Sequence, residues 1–214
     1  MKQIRQTLFL LILLPSLAFG QGKNVKIGIS LTPAFYSIKT WTGFDHQYSP
    51  KFSFTGGFDV YFFASKRFAI SSGLQYSSIG YKVDYAYTFL HNNDPLIPRS
   101  GDIRAGYLDI PVVFSFDFIS TEKAAVYLSG GAISSMLILS NDRTTFEDNT
   151  VRDSGFLNPF IMSVRLGAGF RYNVNEKITL KAEPQFRYFF KGIDEMMDQH
   201  PVSVNASLGI IFNL

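Results

Sequence analysis

Histidine is the side chain best suited to acid–base catalysis near neutral pH, and the chain contains three: His46, His91 and His200. Each lies in a segment without regular hydrophobic alternation, so we expect all three on long loops. A Ser/His/Asp triad needs its side chains held within hydrogen-bonding distance by a rigid scaffold, and the spacing of these residues predicts no such arrangement. The sequence therefore predicts no catalytic residue and no enzyme.

Carboxylates near the end of the chain could bind a hard cation such as calcium. Asp194, Glu195 and Asp198 precede His200, but their spacing does not match a calcium-binding loop. A solvated acidic loop tip is the more ordinary interpretation. Residues 142–153 mix both signs of charge and could recognise a partner. The sequence predicts neither a metal site nor a cofactor.

The elements that hold these groups are predicted to be β-strands. In residues 52–62, bulky apolar side chains alternate with small or polar ones, and successive side chains of a strand point to opposite faces. The same period of two predicts seven further strands, of which the fifth is the least regular: residues 25–32, 68–76, 108–118, 124–137, 162–172, 178–188 and 202–212. Pro33, Pro111 and Pro184 lack the backbone N–H of a strand ladder, so we expect a bulge or a strand end at each.

Residue size indicates which face of these strands is the interior. The polar face is rich in Gly, Ser and Thr, which fit the narrow lumen of an eight-stranded barrel, whereas the apolar face is bulky and suits lipid. A soluble barrel would invert this arrangement. The charged strand residues all lie on the small-residue face, which predicts a filled, nearly charge-balanced lumen: Lys26, Arg165, Arg171, Lys181 and Arg187 against Asp59, Asp109, Asp117 and Glu183.

One ion pair can be predicted by register. Strands six and seven meet at the turn of residues 173–177, so positions whose numbers sum to about 350 face each other. Arg165 then reaches Glu183 as a diagonal neighbour. We expect this ion pair to have a structural role in closing the interior, so that the lumen conducts no ions.

The connections between strands alternate strictly between short and long. Short turns at residues 64–67, 119–123 and 173–177 contrast with long segments such as 84–106 and 140–159. Outer-membrane barrels have short periplasmic turns and long extracellular loops. The sequence thus predicts an all-β, eight-stranded antiparallel up-and-down transmembrane β-barrel in the outer membrane of a Gram-negative cell, embedded in outer-membrane lipid, with both termini in the periplasm.

Residues 1–20 have the features of a cleaved signal peptide. A basic start at Lys2 and Arg5 precedes an apolar run too short to span a bilayer, and small residues follow at a cleavable spacing. The barrel domain is then residues 21–214, in which 18 basic and 17 acidic residues nearly balance, so nothing suggests a nucleic-acid partner. No Cys is present, and therefore no disulfide stabilises the exported chain.

The end of the chain resembles the recognition sequence that delivers outer-membrane barrels to the barrel-assembly machinery. Ser207, Gly209, Phe212 and Leu214 occupy its characteristic positions, with Leu214 standing where Phe is commoner. Residues 107–111 (YLDIP) and Gln21 add to this match. With them, the mature chain resembles the PorT-like outer-membrane β-barrel family of Bacteroidetes. The resemblance implies a barrel fold and, through the family's namesake, a role in protein secretion and gliding.

We therefore expect an integral outer-membrane protein whose extracellular loops form an interaction surface, as an accessory of protein secretion or surface machinery or as an adhesive or envelope-stabilising protein. A partner could also bind the periplasmic turns. The alternatives are a barrel that transports or binds a small apolar ligand and, further away, an outer-membrane enzyme. Eight strands leave no wide aqueous pore, which disfavours a general porin. A soluble secreted barrel is the alternative architecture.

Overall fold

Ten β-strands form nearly all of the chain that the computed structural model describes, namely residues 25–40, 47–85, 98–146, 149–153, 157–193 and 199–213. No helix in these ranges is long and apolar enough to cross a membrane. The predicted signal peptide and Leu214 lie outside the described residues. The strands are β1 (Val25–Thr40), β2 (Gln47–Pro50), β3 (Phe52–Phe63), β4 (Phe68–Asp84), β5 (Ser100–Ser120), β6 (Ala124–Thr145), β7 (Thr150–Asp153), β8 (Phe160–Asn173), β9 (Ile178–Phe189) and β10 (Gln199–Asn213).

Eight of these strands close into one antiparallel barrel. Each of β1, β3, β4, β5, β6, β8, β9 and β10 pairs with the next, and β10 returns to β1, with Ile29 opposite Ile210. The predicted eight-stranded antiparallel barrel is confirmed, including the irregular fifth strand, which is β6. Closure leaves no unpaired sheet edge within the barrel wall.

The two faces of the wall divide as the alternation predicts through most of the barrel. On β3, Phe58 is 63% exposed on the outer surface while its neighbour Asp59 is 6% exposed in the lumen. Bulky apolar residues form the outer belt because lipid solvates them, and small or paired polar residues fit inside. Gly131 shows how tight the wall is, since a Cβ there would lie 2.2 Å from the backbone oxygen of Val112 on β5.

The expectation of a bulge or a strand end at each of the three prolines is wrong, since all three lie within continuous strands. Pairing is interrupted without a register shift beside Pro33 in β1–β10, beside Pro111 in β4–β5 and beside Pro184 in β8–β9. The missing N–H therefore costs local pairing with one neighbouring strand. The register shifts of β5–β6 occur elsewhere, between Gly106 and Tyr107 and between Asp117 and Ile119.

The connections differ strongly at the two ends of the barrel. Tight connections join β3 to β4, β5 to β6 and β8 to β9 at one end, which we call the turn end. At the opposite, loop end, residues 100–106 and 140–145 belong to β5 and β6, so part of each predicted long loop is strand. Short strands β2 and β7 pair there with β4 and β6. The result is a five-stranded extension in the order β2-β4-β5-β6-β7.

Candidate functional site

Glu183 is the centre of the polar lumen. Its Oε1 accepts hydrogen bonds from Arg165 Nη2 at 2.8 Å and Ser129 Oγ at 2.7 Å. Its Oε2 accepts from Tyr127 OH at 2.8 Å and lies 2.9 Å from Lys181 Nζ. The Glu183 side chain is 0% exposed, so two cations and two hydroxyls replace water around a fully buried carboxylate. Such saturation is what makes a buried charge tolerable.

Two glycines on β8 create the space for this cluster. A Cβ on Gly169 would lie 2.2 Å from the ring of Tyr127, and a Cβ on Gly167 would lie 2.6 Å from Glu183 Oε1. Any side chain at either position would displace a group that hydrogen-bonds within the cluster. Small residues at these positions are therefore part of the site and not merely of the strand.

A second network lies around Arg187 on β9. Its guanidinium donates to Asp109 Oδ2 at 2.9 Å, Ser135 Oγ at 3.0 Å and Ser163 Oγ at 2.8 Å. Ser77 Oγ donates to the same Asp109 oxygen at 2.5 Å. This network joins β4, β5, β6, β8 and β9 across the interior.

The two remaining lumen carboxylates are bound differently. Asp59 accepts hydrogen bonds from Ser30 Oγ at 2.7 Å and Gln75 Nε2 at 2.6 Å, whereas Asp117 forms an ion pair with Arg171. Cavities within the network are about 10 Å³ each, roughly the smallest space that holds a water molecule. The lumen is filled by paired side chains at this level.

An apolar cap fills the lumen at the loop end. Leu157 and Ile193, from the connections before β8 and after β9, are buried among inward-facing strand residues: Ala34, Tyr36, Ile79, Tyr81, Val83, Ile103, Ala105, Tyr107, Ile161 and Phe189. Hydrogen bonds hold the two connections together, since Asn158 N donates to Ile193 O at 2.7 Å and Tyr107 OH donates to Asn158 O at 3.0 Å.

The polarity of the wall reverses at the level of this cap. On β4, Tyr81 and Val83 point inward and are buried, while the intervening Lys82 and Asp84 are exposed on the outside. On β5, Ile103 is buried while Arg104 is exposed. The expectation of a small polar interior is thus wrong at the loop end, where the strands have the pattern of a soluble barrel. Apolar residues at odd positions in 79–83 and 103–107 are the sequence signal for this change.

A separate apolar groove of about 730 Å³ lies on the outer wall. Ala182 forms a low point between Phe170 on β8 and Leu208 on β10, both of which are opposite it in the sheet. The flanking side chains are large and outward-facing, including Ile29, Leu31, Leu180 and Ile210. The groove faces the lipid side of the wall and not the rim of the lumen.

Of the histidines and the late carboxylates that the sequence offered for chemistry, His200 alone lies within the described residues. His200 lies on β10 opposite Lys39 and stacks on Tyr188, with ring centroids 6.1 Å apart, so its predicted loop position is wrong. His46, His91, Asp194, Glu195 and Asp198 lie outside the described residues. Within the described ranges, no three His, Cys, Asp or Glu side chains are grouped to hold a metal ion.

The residues of the predicted C-terminal recognition sequence lie on β10. Ser207 faces the lumen and is buried, whereas Phe212 is outward-facing and partly exposed. Gly209 pairs with Ser30 of β1. Their positions agree with an ordinary barrel strand, and recognition by the assembly machinery stays a prediction.

Comparisons with known proteins identify the architecture. Residues 19–196 match the family model described as outer membrane protein beta-barrel domain. Outer membrane protein OprG from Pseudomonas aeruginosa superposes with a TM-score of 0.53, covering 90% of this chain and 97% of that chain at 12% identity. Neisserial surface protein A (NspA) gives 0.52, covering 89% of this chain and 97% of that chain at 12% identity. No curated protein matches the sequence significantly. At these identities the structural similarities show the fold alone.

Proposed function

The chain belongs to the family of outer membrane protein β-barrel domains, and we propose that this outer-membrane barrel is a closed, non-catalytic scaffold whose loop end binds a protein partner. By the loop asymmetry of such barrels, the turn end faces the periplasm and the loop end faces outside. The partner then approaches from the cell surface.

The five-stranded extension is the observation that carries this proposal. β5 and β6 contain 21 and 22 residues, whereas about 9 to 11 tilted residues cross the hydrocarbon core of a bilayer. Roughly half of each strand therefore projects beyond the lipid. The outward-facing charges of this half, among them Arg104 on β5 and Arg143 on β6, are exposed, which suits a hydrated interface.

The filled interior supports a binding role over conduction. The apolar cap seals the loop end, and the Glu183 and Arg187 networks fill the lumen below it. A water-filled path would need a continuous opening, while the cavities in the network hold about 10 Å³ each. The cap also holds the extension from below, which lowers the entropy lost when a partner binds.

The finer proposal is an accessory role in protein secretion or surface machinery. It rests on the resemblance of the mature chain to the PorT-like family, which residues 107–111 and Gln21 carry together with the barrel-assembly recognition sequence at residues 207–214. A second candidate, binding of a small apolar molecule, is favoured by the groove of about 730 Å³ around Ala182. Filling that groove with Ala182→Phe would abolish uptake or binding of an apolar ligand without changing partner binding.

A deletion strain and site-specific crosslinking test the leading proposal together. The strain is scored for secretion, motility, adhesion and detergent sensitivity. If the protein is a secretion accessory, the deletion strain should retain the secreted cargo inside the cell. Photo-crosslinking residues replace Arg104 or Arg143 at the loop end, with Glu122 at the turn end as the matched control. A protein captured only from the loop end supports the proposal. Capture only from the turn end, or none alongside a clear deletion phenotype, contradicts it.

A further inference from the structure

The turn end of the lumen opens into a pocket that the closed lumen does not explain. This pocket, the vestibule, has a volume of about 190 Å³. It is bounded by the first residues of β1, the ends of β3, β5, β8 and β10, and the starts of β6 and β9. The charged and aromatic residues that line it are Lys26, Phe63, Lys66, Asp117 and Arg171. Because the side chains above it are packed and paired, the vestibule is a dead end suited to holding a molecule.

Positive charge predominates in the vestibule. Lys26, Lys66 and Arg171 line it, against the single carboxylate of Asp117. That carboxylate already forms an ion pair with Arg171. Neither Lys26 nor Lys66 has an ion-pair partner among the described residues. Within the described residues, two ammonium groups without a directly bonded carboxylate therefore line the pocket.

Aromatic rings contact two of these cations, Lys26 and Arg171. Lys26 Nζ lies 4.7 Å from the centroid of the Phe63 ring, and Arg171 Cζ lies 5.2 Å from the same ring and 4.6 Å from that of Tyr127. Cation–π contacts of this kind position a cation without neutralising it. The Arg171 side chain is 9% exposed, and its Nε–H has no hydrogen-bond partner among the described residues. A buried unsatisfied donor is costly, and an acceptor bound within reach of this nitrogen would relieve that cost.

The size and direction of the vestibule restrict the ligand. Liquid water occupies about 30 Å³ per molecule, so the pocket holds the equivalent of roughly six waters, enough for a small oxyanion but not for a folded partner. Phe63 and Lys26 lie on the inward-facing side of their strands, opposite in direction to the lipid-facing Ile27. The pocket therefore lies on the lumen side of the wall and not on its lipid-facing side.

We propose that the vestibule binds a small phosphate- or carboxylate-bearing anion from the aqueous phase at the turn end. Lys26 and Lys66 supply charge at the mouth, and Arg171 supplies the buried donor. This site is independent of the partner surface at the loop end, so either can be correct without the other.

The test uses the full mature chain refolded in a non-ionic detergent. Inorganic phosphate and succinate are titrated separately at constant ionic strength, and binding is followed by the amide NMR shifts of vestibule residues. The double variant Lys26→Gln/Lys66→Gln is compared with Lys82→Gln/Lys191→Gln, which makes the same charge change with exposed lysines near the loop end. Loss of charge-assisted contacts should raise the Kd at least about tenfold in Lys26→Gln/Lys66→Gln and leave it unchanged in the control variant.

The titrations distinguish a specific anion site in the vestibule from a general effect of charge. Saturable binding of phosphate alone, of succinate alone or of both supports the site and identifies the preferred anion. Equal weakening in the two double variants shows a general charge effect and overturns the proposal. Shifts that map to the loop end, or no saturable binding at millimolar concentrations, also overturn it. Folding of the double variant is checked by heat-modifiable migration in detergent gels. If it does not fold, the single variant Lys66→Gln, in an exposed turn, replaces it in the comparison.

Discussion

Arg165 and Glu183 form their ion pair across a gap of four residues along neighbouring strands. Arg165 lies directly opposite Arg187 on β9, yet its Nη2 is 2.8 Å from Glu183 Oε1. Gly167 lies between them on β8 and has no side chain to obstruct the contact, since a Cβ there would lie 2.6 Å from the carboxylate oxygen. The pair is therefore made possible by a glycine as much as by its two charges.

Replacing Glu183 with Gln should destabilise the barrel without opening it. Arg165 and Lys181 would stay buried beside a neutral amide, and breaking a buried pair typically costs about 3 to 5 kcal/mol. We expect a lower urea midpoint for unfolding in detergent and no conductance in planar bilayers. Glu122→Gln, in an exposed turn, is the control and should change stability by less than about 0.5 kcal/mol. An unchanged midpoint, or the appearance of channels, would refute the structural role.

Gly169→Ala should disturb the same cluster from the opposite side. The new Cβ would lie 2.2 Å from the Tyr127 ring, which must move away from Glu183, and overpacking of this kind costs about 1 to 3 kcal/mol. Gly56→Ala is the matched control, because the nearest atom to its Cβ is 3.4 Å away on Leu31. Denaturant unfolding measures both variants. Equal stabilities would mean that the Tyr127 ring has free space that the structure does not show.

Tyr107→Phe should loosen the apolar cap without unfolding the barrel. It removes the hydrogen bond from Tyr107 OH to Asn158 O, which is worth about 1 kcal/mol. Exchange of the Asn158 amide hydrogen, bonded to Ile193 O, should then be about fivefold faster if it exchanges by local opening. Tyr188→Phe serves as the comparison, since Tyr188 stacks on His200. Unchanged exchange at Asn158 would show that the Tyr107 hydrogen bond does not hold the connections closed.

Charge reversal on the extension should separate partner binding from stability. Arg104→Glu combined with Arg143→Glu alters exposed side chains and should leave unfolding within about 0.5 kcal/mol of the parent. Crosslinking of the surface partner, measured from a photo-crosslinking residue placed at the exposed Lys82 of β4, should fall sharply, because a charge that complements the partner is replaced by one that repels it. Glu122→Lys at the turn end is the control. Full crosslinking in the reversed variant would place the interface elsewhere.

The barrel itself was predictable because lipid imposes a strict period of two on the strands that cross it. Asp59 beside Phe58 illustrates the rule, as do Arg165 and Glu183, which are buried in the lumen. Alternation alone does not set register, however. We expected Arg165 opposite residue 185, and the structure places it opposite Arg187.

The loop end was not predictable by the same rule. Above the lipid the solvent is water, so apolar side chains such as Tyr81 and Ile103 turn inward and charged ones turn outward. A prediction that assumes lipid outside the wall therefore assigns these residues to the wrong face. The prediction that His200 lies on a loop was wrong for the same end of the barrel. The cap further depends on Leu157 and Ile193, which come from connections where no periodic signal exists.

The polarity of β4 reverses between Ser77 and Tyr81, so one part of this continuous strand is stable in lipid and the other part is stable in water. Below the reversal the wall depends on an apolar surrounding, whereas the extension and its cap have a hydrophobic interior of their own. The extension should consequently keep its shape when the protein is moved from membrane to detergent. Antibodies raised against the solubilised barrel should therefore recognise the loop end on intact cells, which whole-cell binding measures directly.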